Sequence, residues 1–280
     1  MLAFVTSLRH PLNSRDYSRV ESLLMDSIHS ILRQDDPHFG VWVVGNKRPA
    51  GLPSSVTWVE VGYPPPSRER SPMTGVPAVL IDKGTKLVIG LIAAMQSRPD
   101  HVMCFDADDL VSRRLASLST AAPGAPGWRV TSGWRWASER KAVRRQPDFH
   151  RHCGTGLIVR SDLYAVPASL AANASQAEIA ATLGARLHRH FGSHLHLSDD
   201  LAARGIELAE VPFSGALYRV GTGENHSGIS LGGLGRPISR RVADEFGVPA
   251  TERTPVGLAR AVLPSRRGII ERLPLRARGE

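Results

Sequence analysis

Residues 101–109 read His101-Val102-Met103-Cys104-Phe105-Asp106-Ala107-Asp108-Asp109, an apolar run that ends abruptly in three carboxylates. The run has the brevity and lack of alternation of a strand buried on both faces, the kind found inside parallel sheets. Three aspartates in four residues repel one another, and taking any of them out of water is costly unless a cation neutralises the group. Oxygen ligands alone suit Mg²⁺ or Mn²⁺, ions that keep positions open for phosphate oxygens. Read without a cation, Asp109 caps the next helix while Asp106 and Asp108 are solvated in a turn.

Working outward, residues 2–6 form a first apolar strand that runs into a polar loop ending at Pro11. Between 17 and 32, Val20, Leu23, Leu24, Ile28, Ile31 and Leu32 recur with a period near that of an α-helix, and Asp35-Asp36-Pro37 stops it. Strands are predicted at 41–44 and 56–61, and helical spacing returns over 86–95 before the strand at 101–105. That succession predicts an α/β unit built on a largely parallel sheet, whose ligands bind beyond the carboxyl ends of the strands. Thr6, Ser7, Arg9, Asn46 and the three aspartates all follow such ends, so one side of the molecule should gather them. Further on, a Gly/Pro loop at 122–127 precedes one strand-like stretch over 128–136, an apolar strand at 157–159 and an Ala-rich helix over 176–191.

The chain has 280 residues, 42% of them hydrophobic, enough to bury a real core. A formal charge of +9 favours anionic partners without choosing among nucleic acid, an acidic membrane face and a phosphorylated small molecule. Much of the excess lies after Thr251, where seven arginines face only Glu252, Glu271 and Glu280. Two cysteines are too few to staple a chain of this size, so a reducing compartment is expected. No signal-peptide core or spanning apolar run is visible, and the expected location is cytoplasmic, with peripheral contact at the inner membrane face allowed by the basic tail.

Asp82-Lys83-Gly84 and Lys86, then an apolar helix, a strand and Phe105-Asp106-Ala107-Asp108-Asp109, resemble the central segment of GT-A glycosyltransferases, especially the inverting family 2 group with its DXD motif. The resemblance spans about the first 115 residues. It implies a Rossmann-like GT-A fold, a nucleotide-sugar donor, a saccharide, polysaccharide or lipid-linked acceptor, and Mn²⁺ or Mg²⁺. It also implies that Asp108 binds the metal, that Asp106 contacts ribose or metal, and that Asp109 supports either role. Thr6, Ser7 and Arg9 would lie against the nucleotide. Asp82, Lys83 and Lys86 would sit by the diphosphate, where two lysines can counter its charge, although lysines beside a helix start also occur as a solvated face. Where the family often has an acidic residue to read the base, this chain has Asn46, which leaves the base open.

Leu197-Ser198-Asp199-Asp200 resembles the family's second acidic motif, implying Asp200 as the base that takes the acceptor proton and Asp199 as its neighbour. A plain helix start, capped by Ser198, accounts for the same residues. His226 falls where many GT-A enzymes place a late metal ligand, among glycines that would let its loop close over the donor. Gly154-Thr155-Gly156 resembles the segment lining the acceptor and donor-sugar pocket, and Trp134 offers a face for sugar stacking as readily as for core packing. The expected organisation is a nucleotide-sugar-binding half at 1–115, an acceptor-binding half at 116–235 and a basic tail at 236–280, helical or partly disordered. A sugar-1-phosphate nucleotidyltransferase is the alternative, although residues 6–11 lack the glycine-rich basic signature of that class. A nucleic-acid binder is the third reading, without a recognised motif, and no nucleic-acid partner is expected. The histidines at 188, 190, 194 and 196 lack zinc-site spacing.

Overall fold

The computed structural model describes residues 1–67, 77–224 and 228–264. The expected ligand His226 lies outside these residues, as does the tail from 265 onward. Among them the strands are β1 (Leu2–Ser7), β2 (Phe39–Gly45), β3 (Val56–Glu60), β4 (His101–Cys104), β5 (Leu110–Val111), β6 (Gly127–Arg129), β7 (Ser132–Ala137), β8 (Ala142–Pro147), β9 (Leu157–Arg160), β10 (Ala209–Glu210), β11 (Ala216–Arg219) and β12 (Arg236–Pro237). The α-helices are α1 (Tyr17–Ile31), α2 (Ala78–Met95), α3 (Leu115–Ala121), α4 (Gln176–Leu183), α5 (Leu197–Ala202), α6 (Arg240–Phe246) and α7 (Pro255–Val262).

Two sheets organise the described residues. The larger runs β10-β6-β9-β4-β1-β2-β3, with β4, β1, β2 and β3 mutually parallel and β9 antiparallel to both of its neighbours. This is the mainly parallel α/β sheet that the apolar runs predict. At its centre, β1 sends Phe4 toward one core and Val5 toward the other, because successive side chains of a strand point to opposite faces. The Phe4 face packs against Leu24, Ile28 and Ile31 of α1, and the Val5 face against Leu87, Val88 and Leu91 of α2. Full burial of one such aliphatic side chain contributes roughly 2 kcal/mol. Asp16 starts α1 by accepting from the Arg19 amide. Close seating of α2 on the sheet needs Gly90, where a Cβ would stand 2.6 Å from a Val5 methyl carbon. The smaller sheet, β12-β8-β7-β11-β5, carries its own core around Trp136, Leu217 and Phe246.

Three local expectations need correction. Helix α2 begins at Ala78 rather than at Lys86, so Asp82, Lys83 and Gly84 lie on a helix and not in a loop before one. Gly84 is there for contact: a Cβ on it would lie 3.0 Å from the Leu187 carbonyl oxygen and 3.1 Å from the Gly192 nitrogen. The stretch 128–136 is two strands in different sheets, β6 and β7, with φ +136° at Gly127 and no room for a Cβ beside the Ile158 carbonyl. The expected helix at 176–191 stops at Gly184 and resumes as a π-helical turn, Leu187–Gly192. Strands β6, β9 and β10 join the sheet of the first half while β5 joins the second sheet, so sheet membership runs across residue 115. Helices α6 and α7 occupy part of the basic segment, and no helix of the described residues is long and apolar enough to cross a membrane.

Candidate functional site

The acidic cluster leaves the carboxyl end of β4 as a tight turn, closed by the Asp109 amide donating to the Asp106 carbonyl at 3.0 Å. The segment 153–155 leads into β9, the strand beside β4, and this places it directly against the turn. Thr155 Oγ1 accepts from the Asp106 amide at 2.9 Å and donates to Asp109 Oδ2 at 2.6 Å. Cys153 Sγ donates to the same oxygen at 2.8 Å, and the Arg219 amide donates to Asp109 Oδ1 at 3.1 Å. Asp109 is fully buried, and burial followed by the charges of Asp108 and Asp106 holds its pKa well above the ordinary value. It ties the turn to β11 and to the segment before β9.

Asp106 and Asp108 instead face a cavity of about 350 Å³. Asp106 Oδ1 receives Lys83 Nζ at 2.5 Å and its Oδ2 the Gly154 amide at 3.3 Å. Burial acts to raise the Asp106 pKa, but the Lys83 ammonium outweighs it and the carboxyl stays below its ordinary value. Lys83 shows the converse, with burial overcome by the Asp106 charge. The Asp108 carboxyl is pushed up to about 6, by burial first and by the Asp106 charge second, against the attraction of the buried Arg219 guanidinium. Arg219 itself is held by Asp26 at 2.8 Å and lies over the Trp136 ring at 4.4 Å.

Ser7, Arg9, Asp82, Lys83, Asp106, Asp108 and Gly154 all line this one cavity. They come from β1, α2, the β4 turn and the segment before β9. Glu224, His194, His152 and Tyr218 are also part of its wall. Glu224 is buried, with Oε2 on Arg9 Nη1 at 2.8 Å and Oε1 accepting from the Arg15 and Asp16 amides at 3.2 and 3.1 Å. No local pattern marks Glu224 or Arg219 in the sequence; each is recognised only by a partner about 200 positions away.

Asp106, Asp109 and Cys153 bring ligand atoms within 4.8 Å of one another. Asp109 and Cys153 are engaged with each other by a hydrogen bond, although Cys153 also lines the cavity, whereas Asp106 and Asp108 border its open space. Among the described residues of the turn, the carboxylates facing open space are those of Asp106 and Asp108, whose oxygens are of the type suited to the hard divalent cation expected there. Gly154 is part of that fit, because a Cβ there would stand 2.6 and 2.8 Å from the two Asp106 carboxylate oxygens. Gly154→Ala is expected to displace the carboxylate and weaken Mn²⁺ binding by about tenfold or more, with little change in thermal midpoint. Manganese titration followed by electron paramagnetic resonance checks this, and an unchanged affinity contradicts it.

Other expected site residues lie elsewhere. Thr6 is buried beneath the cavity, donating to the Phe105 carbonyl at 2.7 Å. Lys86 is fully buried and pairs with Asp82 at 2.8 Å while donating to the Leu8 carbonyl at 3.1 Å, so it braces the β1 loop from below. Burial lowers the Lys86 pKa and raises that of Asp82. Asn46 spends its amide on the Val61 and Tyr63 carbonyls, pinning the chain after β3. Gly156 makes room for the His150 backbone. Trp134 faces a different cleft, with Arg145 over its ring at 5.0 Å. Asp199 forms an exposed double contact with Arg151 at 2.7 Å. Asp200 is clamped by Arg189 and His190, both at 2.7 Å, and its pKa is lowered to about 2, chiefly by those two hydrogen bonds. So depressed a carboxylate is a weak proton acceptor at neutral pH, and Asp200 is not among the described residues lining the cavity. His190 does border a small recess that shares Lys83, Asp106, Gly154 and His194 with the main cavity.

No family model and no curated protein matches this sequence. Among solved structures, the chain is similar to TarS of S. aureus at 12% identity and a TM-score of 0.37, over 78% of this chain and 36% of that one, so it spans little more than a third of that protein's length. It is similar to a nucleotidyl transferase from Methanothermobacter thermautotroptrophicus at 16% identity and a TM-score of 0.36, over 76% of this chain and 88% of that one. It is also similar to a protein described as a nucleotide-diphospho-sugar transferase from Desulfovibrio desulfuricans, at 9% identity and a TM-score of 0.34, over 78% of this chain and 80% of that one.

Proposed function

We propose that this protein transfers a sugar from a nucleotide-sugar donor to a hydroxyl acceptor, with inversion, using a divalent cation held by Asp106 and Asp108. The observation that carries the reading is the cavity at the carboxyl ends of parallel strands, where Asp106 and Asp108 stand beside Lys83 and Arg9, the lysine paired with Asp106 and the arginine with Glu224. A site of that make-up suits a diphosphate, with a cation neutralising the carboxylates and basic side chains taking the remaining phosphate charge. When bound, Mn²⁺ or Mg²⁺ would supply charge stabilisation to the departing diphosphate. Lys83 and Arg9 would hold phosphate oxygens, Ser7 would contact the nucleotide, and Gly154 would keep the Asp106 carboxylate aimed into the cavity.

For proton removal, Asp200 acts through His190. Burial holds the His190 pKa below its ordinary value despite the carboxylate beside it, which favours the neutral ring. A neutral imidazole whose Nε2–H donates to Asp200 keeps its Nδ1 lone pair available, and Asp200 steadies the imidazolium that forms. This keeps the second acidic motif in the mechanism as the orienting partner of the base.

The test is a thermal-shift panel of nucleoside diphosphates with and without Mn²⁺, since a ligand that binds only the folded chain raises its apparent stability. One nucleoside diphosphate should shift the midpoint more with Mn²⁺ than without, and Asp108→Asn should lose that metal-dependent increment. Release of pyrophosphate from a nucleoside triphosphate and a sugar-1-phosphate would instead establish a nucleotidyltransferase.

The raised Asp108 pKa sets a pH dependence. Proton and cation compete for this carboxylate, so metal-dependent nucleotide binding should fall as pH drops through about 6. For the metal-free fold the sign reverses: a folded pKa above the ordinary 3.8 means the native form binds the proton more tightly, so this group adds stability as pH falls from neutrality through about 6 toward 4. Calorimetry at pH 5 and 7, with and without Mn²⁺, reads both effects. Metal binding that is equally tight at the two values would contradict the assignment of Asp108.

A further inference from the structure

The smaller sheet carries a second cleft, of about 810 Å³, that the transfer reading leaves without a role. Its floor is Trp134 and Arg145 on adjacent strands, one wall is the segment 210–214 and the other is α6 with the residues before it. Two carboxylates line it, and both are already engaged. Glu245 accepts from Arg114 Nε at 2.9 Å and from Ser112, while Glu210 pairs with Arg129 at 3.6 Å and accepts from Thr131 at 3.2 Å. Three lining guanidinium groups, those of Arg145, Arg236 and Arg241, have no carboxylate partner among the described residues. Arg145 is nonetheless oriented, donating to the hydroxyls of Ser132 at 2.9 Å and Ser214 at 3.0 Å and lying over the Trp134 ring.

We propose that this cleft binds an anionic oligosaccharide through its carboxylate or phosphate groups. Arginines that line one cleft without acidic partners can read planar or tetrahedral oxyanions by paired hydrogen bonds, and an arginine held by stacking and serine hydroxyls gives up less freedom on binding. The hydroxyls of Ser132, Ser214 and Ser239, all lining the cleft, suit a hydroxyl-rich chain. Single-stranded nucleic acid is disfavoured because it calls for aromatic platforms on which bases stack. Here the Trp134 ring is faced by Arg145 at 5.0 Å and the Phe213 ring by Arg114 at 3.9 Å, so guanidinium groups already occupy aromatic faces of the cleft.

The experiment is isothermal titration of the full chain with four probes: an oligogalacturonate, a phosphate-bearing mannan fragment, neutral dextran, and a single-stranded oligonucleotide of matched charge. At least one of the two acidic saccharides should bind, and dextran should not. Which acidic saccharide binds more tightly identifies the acid group read. Arg236→Gln and Arg241→Gln, both at exposed positions, should each weaken the preferred saccharide about tenfold and flatten its salt dependence. Asp106→Asn should leave this affinity unchanged, which separates the cleft from the donor cavity and makes its failure independent of the transfer reading. Acidic saccharides that fail to bind, or whose affinity survives the double arginine variant, overturn the proposal. Tighter binding of the oligonucleotide through the same arginines also overturns it and marks the cleft as a nucleic-acid site.

Discussion

Replacing Asp106 with asparagine is expected to lower kcat/KM for sugar transfer by on the order of 10² to 10³ while leaving the fold intact. The substitution keeps the shape of the side chain and an oxygen for the Gly154 amide. It removes the charge that pairs with Lys83 at 2.5 Å and half of the carboxylate pair facing the cavity. Loss of one preorganised charge from a catalytic site characteristically costs that much in rate. The Asp106 charge is the second cause, after burial, of the raised Asp108 pKa, so the variant should also bring Asp108 back toward its ordinary value. Steady-state kinetics and a pH titration of Asp108 by carbon-detected nuclear magnetic resonance would measure both. Asp109→Asn is the contrast: its carboxylate meets Thr155, Cys153 and the Arg219 amide in full burial, so its loss should appear in the thermal midpoint as well as in activity. Near-normal turnover in Asp106→Asn would remove the basis for the donor site.

Asp82→Ala is expected to destabilise the protein by about 3 to 5 kcal/mol, because it leaves the Lys86 ammonium buried without its counter-charge. The pair is 2.8 Å apart one helical turn along α2, with the Lys86 side chain 0% and the Asp82 side chain 8% exposed. The Leu8 carbonyl is the other acceptor of the Lys86 ammonium, and it carries no full charge. For a chain of this size the midpoint should fall by roughly 5 to 8 °C. Chemical denaturation and calorimetry measure the loss. Asp82→Leu combined with Lys86→Met should recover most of it, since a buried ion pair replaced on both sides by apolar groups is often neutral. If the single variant is as stable as the parent chain, the ion pair is not the brace of the β1 loop that the geometry indicates.

The apolar runs at 2–6, 41–44, 56–61 and 101–105, with the helical spacing over 17–32, were sufficient to specify a mainly parallel sheet and the side on which its loops gather. Strand and helix periodicity are local properties, written within ten or fifteen residues, and a strand buried on both faces leaves a continuous apolar signature. Three carboxylates crowded after β4 likewise declared themselves, because their mutual repulsion is a fact of spacing alone. What the chain does with each of them was decided in three dimensions. Asp109 turned inward because Thr155, Cys153 and the Arg219 amide converge on it, whereas Asp106 and Asp108 face the cavity. Asp200 and Lys86 read equally well as site residues, and only packing revealed Arg189, His190 and Asp82 around them. The role of Gly84 was hidden for the same reason: it lies in mid-helix because another backbone passes against it, a contact 103 or more residues distant that no local pattern can encode. Burial, ion pairing and pKa depend on which distant segments meet, and that is settled by the tertiary structure.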